Sequence, residues 1–193
     1  MRFRDVTRRA AKGRPRKPYR QGDLDGLCGV YSAVNAVRAL CPELDTDDAT
    51  LLFDHLIQYL PKAGANPSIA VAGGIGCGVQ ARLIDQAIAT VASEHDIDLT
   101  ARRLPKALRR TMQLDLLWAA LADALSPTCV AVLGLAGRHA HWTVAVDVTP
   151  LQIRLYDSGE LGLLRRSQCT VAKAIKRISI APAQVFLITR KRG

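Results

Sequence analysis

The sequence predicts an α+β protein, helices first and strands afterwards, and three observations carry that expectation. Between Val30 and Leu125 the apolar residues recur at three- and four-residue spacing, the period of helices with one buried face. From Cys129 onward they run continuously or alternate over short stretches bounded by Gly, Pro and Asp, which is the pattern of strands. The 193 residues are 49% hydrophobic, yet no apolar run approaches the length of a membrane span. A chain of this length buries a full core without disulfide or metal staples, so one domain is the simplest organisation.

The net charge of +10 is unevenly placed. Residues 1–20 carry nine Lys/Arg against one acid, Asp5, and residues 190–193 add three more basics, whereas 21–189 hold 15 Lys/Arg against 16 acids. The chain divides accordingly into a basic arm (1–20), a near-neutral domain (21–189) and a basic tail (190–193). Prolines, few large apolar residues and high charge make the arm an extended segment suited to nucleic acid, an acidic partner or an anionic surface. Its plain alternative is a solvated arm lying loosely on the domain. The five cysteines (Cys28, Cys41, Cys77, Cys129, Cys169) are scattered and show no Cys-x-x-Cys spacing, and the four histidines form no ligand cluster. With no secretory apolar region at the start, the pattern favours a reducing, cytoplasmic compartment and calls for no metal or cofactor.

Within the domain, a polar loop from Gln21 runs into Cys28, which opens a helix through Leu40 with Val30, Ala33, Val34 and Val37 at helical spacing. Gly29, Ser32, Ala33 and Ala36 keep its surface small, so other elements pack closely and the helix reads as central. At a helix N-terminus the unpaired backbone N–H groups and the macrodipole stabilise a thiolate, so Cys28 is a candidate nucleophile. Cys41-Pro42 ends the pattern, and Asp45 to Asp48 supply a cap and first-turn acids for a helix through Tyr59 with His55 on its surface.

Residues 61–67 form a loop, and Ser68 to Gly78 is rich in glycine. Gly76-x-Gly78-x-x-Ala81 mimics a dinucleotide fingerprint, with Asp96 or Asp98 further on. The short preceding apolar run, the missing Gly-Lys-Ser/Thr and the absence of continued strand–helix alternation argue against it. Gly73 and Gly74 instead leave backbone open beside the Cys28 helix, where an extended peptide binds through main-chain hydrogen bonds; an inert turn is the alternative. Cys77 rivals Cys28 as nucleophile, with a less clear helix start around it. A helix spans Val79 to Glu94 with His95 capping it. Arg102-Arg103 to Arg109-Arg110 forms a second basic cluster, either for an acidic substrate segment or simply a solvated face. Met112 to Leu125 is an amphipathic helix.

Strands then follow at Cys129–Leu135, His141–Val148 and Leu151–Ser158, with a loop marked by Gly159 and Gly162, a short helix from Cys169 through Ile178 and a last strand at Gln184–Ile188. A thiolate needs a base and a group that orients the base. If Asp147 pairs with Leu151 across a three-residue loop, His141 comes opposite Asp157 on one face of the hairpin. A two-residue loop slips the register by one and turns Asp157 to the other face. His139 is the rival base; His141 is preferred because it begins the alternating strand, with Trp142 facing the opposite way and able to shield the site.

A glutamine, a loop, Cys-Gly opening a helix, a His-Trp strand and an acidic residue ending the next strand resemble the papain-like cysteine peptidase superfamily. The Asp third member makes the chain more similar to bacterial peptidases that process bacteriocin leaders. The resemblance covers the three motifs and their order; the interval from Gln21 to Cys28 is one residue longer than the family pattern. It implies a papain-like fold, with an N-terminal catalytic helix and helical half packed on a C-terminal antiparallel sheet. In it Cys28 is nucleophile, His141 base and then acid, Asp157 its orienter, and Gln21 a side-chain donor to the oxyanion. Gly73, Gly74 and Trp142 are the candidate substrate-binding residues. The expected reaction is hydrolysis of a peptide or isopeptide bond in a protein or peptide substrate. The same triad also serves glutamine deamidation or acyl transfer. A non-catalytic module that binds nucleic acid or an acidic partner through the basic arm is the other class. Asp23 and Asp25 either select a basic residue in the substrate or cap the helix.

Overall fold

The computed structural model describes residues 17–22, 25–111, 113–172 and 177–191. Most of the basic arm, residues 1–16, lies outside the described residues, as do Asp23 and the last two residues of the tail. In chain order the elements are α1 (Cys28–Leu40), α2 (Thr46–Tyr59), α3 (Pro67–Gly73), α4 (Cys77–His95), β1 (Leu99–Arg103), α5 (Lys106–Arg109) and α6 (Leu114–Ala124). There follow β2 (Cys129–Gly137), β3 (His141–Val148), β4 (Gln152–Leu155), β5 (Leu163–Arg165), a 3₁₀ turn at Arg166–Gln168, β6 (Cys169–Thr170) and β7 (Ile178–Arg190). The fold is α+β.

Each helix forms for a local reason. Asp45 caps α2 in a full capping box, accepting from the backbone of Asp47 and Asp48 while Asp48 accepts from the Asp45 N–H. Asn66 caps α3, with Pro67 in its first turn. The helix α1 is buried nearly all round, Val30, Ala33, Ala36 and Val37 being at most 2% exposed. Its small side chains let α4 approach: a Cβ on Gly29 would stand 2.5 Å from both Gln80 Oε1 and Ile75 Cδ1.

The sheet runs β1-β7-β2-β3-β4-β5 and is antiparallel along that path, with β6 pairing β7 in parallel. The central strand β2 turns Val130 and Val132 toward α1, α2 and α4, and Ala131, Leu133 and Leu135 toward α6. Burial on both faces explains why it reads as an unbroken apolar run. Leu117, Trp118 and Leu121 of α6 fill the second face, and the Trp118 indole N–H donates to Thr149 O at 2.8 Å. The helical half therefore covers both faces of the sheet and also lends it the edge strand β1.

Three expectations are corrected. Cys169–Thr170 forms a strand, and Ile178 begins β7, where a helix from Cys169 through Ile178 was expected; residues 173–176 lie outside the described residues. The last strand is 13 residues long, with a register shift against β2 that spans Ala181 to Gln184. Arg190, assigned by charge to a tail, is the last residue of β7 and pairs with Glu43, while Lys191 pairs with Asp98 at 2.8 Å.

Candidate active site

The site is built where the N-terminus of α1 meets the start of β3. Asp25 shapes the approach to the helix: one carboxylate oxygen accepts from Gly22 N and the other from Leu27 N, both at 3.0 Å. Both donors lie before the first turn of α1, so Asp25 orders the loop and does not cap the helix. Gly26 follows, and a Cβ there would stand 2.9 Å from Gly74 N and from Val71 O. Only a glycine lets the two backbones meet so closely. Cys28 is then the first residue of α1 and is 8% exposed.

His141 is the first residue of β3, and its Nε2 lies 2.8 Å from Asp157 Oδ1. Cys28 interacts with the same imidazole. Burial alone would lower the imidazole pKa, but the hydrogen bonds and charges of Asp157 and Cys28 outweigh it and push the pKa up to about 9. Asp157 is 4% exposed. Its burial favours the neutral acid, yet the hydrogen bond and charge of His141 and the Gly159 N–H hold its carboxyl below the usual range. Asp157 Oδ2 accepts from Gly159 N at 2.8 Å and from Leu161 N at 3.3 Å, so the carboxylate is fixed at both oxygens.

How the two meet differs from the expected register. Val148 pairs with Ile153, and Thr149 N donates to Gln152 O, so Pro150-Leu151 is a two-residue turn. By itself that register would point Asp157 away from His141. The register shifts between Asp147 and Ala145: Asp147 pairs with Arg154 but Ala145 with Leu155, leaving Val146 as an extra residue in β3. The bulge restores the parity. Tyr156 N then donates to Val144 O at 2.8 Å and Asp157 swings onto the His141 face.

The other candidates are placed as follows. Gln21 joins the site through its backbone, N–H to Ser158 O at 2.9 Å, and its side-chain Nε2 donates to the Asp25 carbonyl, which leaves one amide hydrogen uncommitted. Gly73 is exposed and open; Gly74, at φ 74°, has its N–H bonded to Ala70 O and lies against Gly26. Trp142 is 6% exposed, packs near Phe186 and donates from Nε1 to Ile75 O at 2.9 Å, a strut between β3 and the segment after α3. His139 is half-buried in the turn before β3 and makes no ion pair among the described residues. His55 is exposed on α2 against Gln86, and His95 ends α4 near Asp48. Cys77 opens α4 two residues before the expected start at Val79; it is half-buried and 3.7 Å from Arg103 Nη2.

Two supports escape a reading by motif. Gln80, fully buried on α4, donates to Gly29 O and Ser32 Oγ, both at 3.2 Å, and so fixes the first turn of α1. Asn35 on α1 grips the backbone of Tyr19 in both directions, accepting at 2.8 Å and donating at 3.0 Å. A buried polar residue inside an apolar helical stripe is the available signal for either.

No family model matches the chain, and no curated protein matches it. Among solved structures, the crystal structure of a double glycine motif protease from an AMS/PCAT transporter, in complex with the leader peptide, is similar with a TM-score of 0.43 and 10% identity. That likeness covers 95% of this chain and 96% of the other.

Proposed function

We propose that the chain is a cysteine hydrolase that cleaves a peptide or isopeptide bond with Cys28, His141 and Asp157. The observation that carries this reading is His141 held at 2.8 Å by a buried Asp157, with Cys28 at the start of α1 near enough to raise the pKa of the same imidazole. A histidine held protonated to about pH 9 keeps an imidazolium beside the Cys28 sulfur at neutral pH, the acid that the leaving amine needs. In the first half-reaction the Cys28 sulfur bonds to the carbonyl carbon and the carbonyl electron pair moves to oxygen. The Cys28 backbone N–H and the remaining Gln21 amide hydrogen are the donors for that oxyanion. Its collapse breaks the C–N bond, and the imidazolium gives its proton to the leaving amine. In the second half-reaction His141 takes a proton from water, hydroxide adds to the thioester, and the acid leaves as Cys28 recovers. The open backbone at Gly73 is the proposed seat for an extended substrate.

The test is to incubate wild type, Cys28→Ala and His141→Ala with a diverse peptide library and read new termini by mass spectrometry. Cleavages made by wild type alone support the reading. Mass increases of about 1 Da at glutamine without new termini would replace it by deamidation, and neither product would overturn it.

A further inference from the structure

We infer that the edge of the sheet at β1, with α5 that follows it in the chain, is a docking site for an acidic extended segment of the substrate. The inference rests on the hydrolase reading above for its connection to Cys28. Residues 102–110 hold five cations and no acid. Arg102, Arg103, Lys106 and Arg110 are exposed, and Arg109 is half-buried with its Nε enclosed and without an acceptor among the described residues. None of the five makes an ion pair among the described residues, whereas Arg154, Arg166, Arg190 and Lys191 each have a carboxylate partner. The acids that neutralise the rest of the domain are missing here.

The backbone adds to the charge. Among the described residues β1 has a neighbour on one side alone, β7, so its outer edge offers main-chain donors and acceptors to an added strand. Arg103 shares the face of its register partner Phe186, its guanidinium 4.9 Å from that ring, while Arg102 is opposite Leu187 and faces the other side. Cations on both faces of an edge strand repel another basic strand and admit an acidic one.

The edge also lies within reach of the site. Arg103 touches Cys77 at the start of α4, and the segment just before it, at Ile75, is bonded to Trp142 beside His141. β1 is three strand intervals from β3, about 14 Å at ~4.8 Å per interval. Arg103 is level with Phe186, Val132 and Val144, three residues along β3 from His141. That offset is about 10 Å, and the diagonal of about 17 Å equals about five residues of extended chain. Acids about five residues from the scissile bond would therefore reach Arg103.

The test uses the full chain, so the basic arm is the same in every comparison. Fluorescein-labelled decaglutamate is titrated against Cys28→Ala protein, with and without the exposed changes Arg102→Ser, Lys106→Ser and Arg110→Ser. At least tenfold weaker binding in the triple variant is expected; unchanged binding overturns the site. A ten-residue oligothymidylate is titrated in parallel, and tighter binding than decaglutamate, lost in the same variant, would reassign the patch to nucleic acid. Connection to catalysis is read on the Cys28 proteins with two electrophilic peptides, one capped by an N-terminal bromoacetyl group and one by a C-terminal chloromethyl ketone. Each carries Glu-Glu or Ser-Ser five residues from the reactive carbon. One of the two should label Cys28 at least fivefold faster with Glu-Glu, and the triple variant should lose that gain while its iodoacetamide rate stays unchanged. No gain with either peptide would overturn the substrate role. Decaglutamate binding that depends on the patch, beside a Cys28 no more reactive than an ordinary thiol, would sink the hydrolase reading and leave an acidic-partner site.

Discussion

At the scale of single residues, His141 makes the sharpest statements about pH. Its pKa of about 9 lies above the ordinary 6.5, so its charged form is favoured by folding. The stability it contributes is complete below pH 6.5 and is lost as pH rises through about 9. Urea unfolding of wild type should therefore weaken between pH 7 and 9.5 by more than that of His141→Gln; equal losses would refute the coupling. Asp157 has the opposite sign: its carboxyl is held below the usual range, so its contribution is present above the ordinary value and is lost on acidification through the lowered one. For catalysis, kcat/KM should fall on the alkaline side near pH 9 as the imidazolium is lost. Alkylation of Cys28 by iodoacetamide at pH 6 should be at least tenfold slower in His141→Ala, and unaffected by His139→Ala, with the site assigned by mass spectrometry because Cys77 is half-exposed. These residues were legible as types in context: a cysteine opening a helix, a histidine opening a strand, an acid ending the next. Gln80 and Asn35 were less so: an amide inside an apolar stripe marks a buried polar contact but not its partner.

At the scale of elements, register decides whether His141 and Asp157 meet. The turn at Pro150-Leu151 gives the parity that separates His141 from Asp157, and the bulge at Val146 reverses it. Deleting Val146 should remove the bulge, turn Asp157 to the opposite face and reduce Cys28 alkylation at pH 6 to the level of His141→Ala, with the far-ultraviolet dichroism of the sheet retained. Full reactivity in the deletion would show that the register is set elsewhere. Close backbone contacts make a second test. The Gly26 hydrogen faces backbone atoms of Gly74 and Val71, which cannot step aside, whereas the Gly29 hydrogen faces the buried side chains of Gln80 and Ile75. Gly29→Ala should cost about 1–3 kcal/mol of stability as an overpacked core position. Gly26→Ala should act chiefly on labelling of Cys28 by displacing the loop before it. The same scale explains what sequence hid. A bulge leaves no periodic trace, since one extra residue in an alternating strand looks like noise. The helix α3 has under two full turns and ends in glycine, too short for a periodic trace, so the stretch reads as a glycine-rich loop. In β1 an inward position is occupied by Arg103, whose guanidinium lies over the Phe186 ring, so the alternation breaks where the charge begins.

For the whole molecule, the broad order of helices before strands was legible because α1, α4 and α6 each bury one or more long apolar faces. Which strands are neighbours was not, because β1 and β7 pair across nearly ninety residues of sequence, and local periodicity says nothing about such contacts. Closure of the fold depends on polar ties between its ends and its centre. Asn35, fully buried on α1, binds Tyr19 N and O, while Gln21 N reaches Ser158 beside Asp157, so residues 17–22 belong to the domain that charge alone would begin at 21. At the other end Lys191 pairs with Asp98 on the surface, both side chains more than half exposed. These two ties should differ greatly in weight. Asn35→Ala strips the partners from two backbone groups in a part-buried setting and leaves a gap in α1, for an expected loss of about 2 kcal/mol. An exposed ion pair contributes little against side-chain entropy and salt, so Lys191→Ala should shift stability by less than about 0.5 kcal/mol. Urea unfolding of the two variants at pH 7 checks the ranking. If Lys191→Ala proved the more damaging, the seam between the amino-terminal segment and α1 would not be what closes this fold.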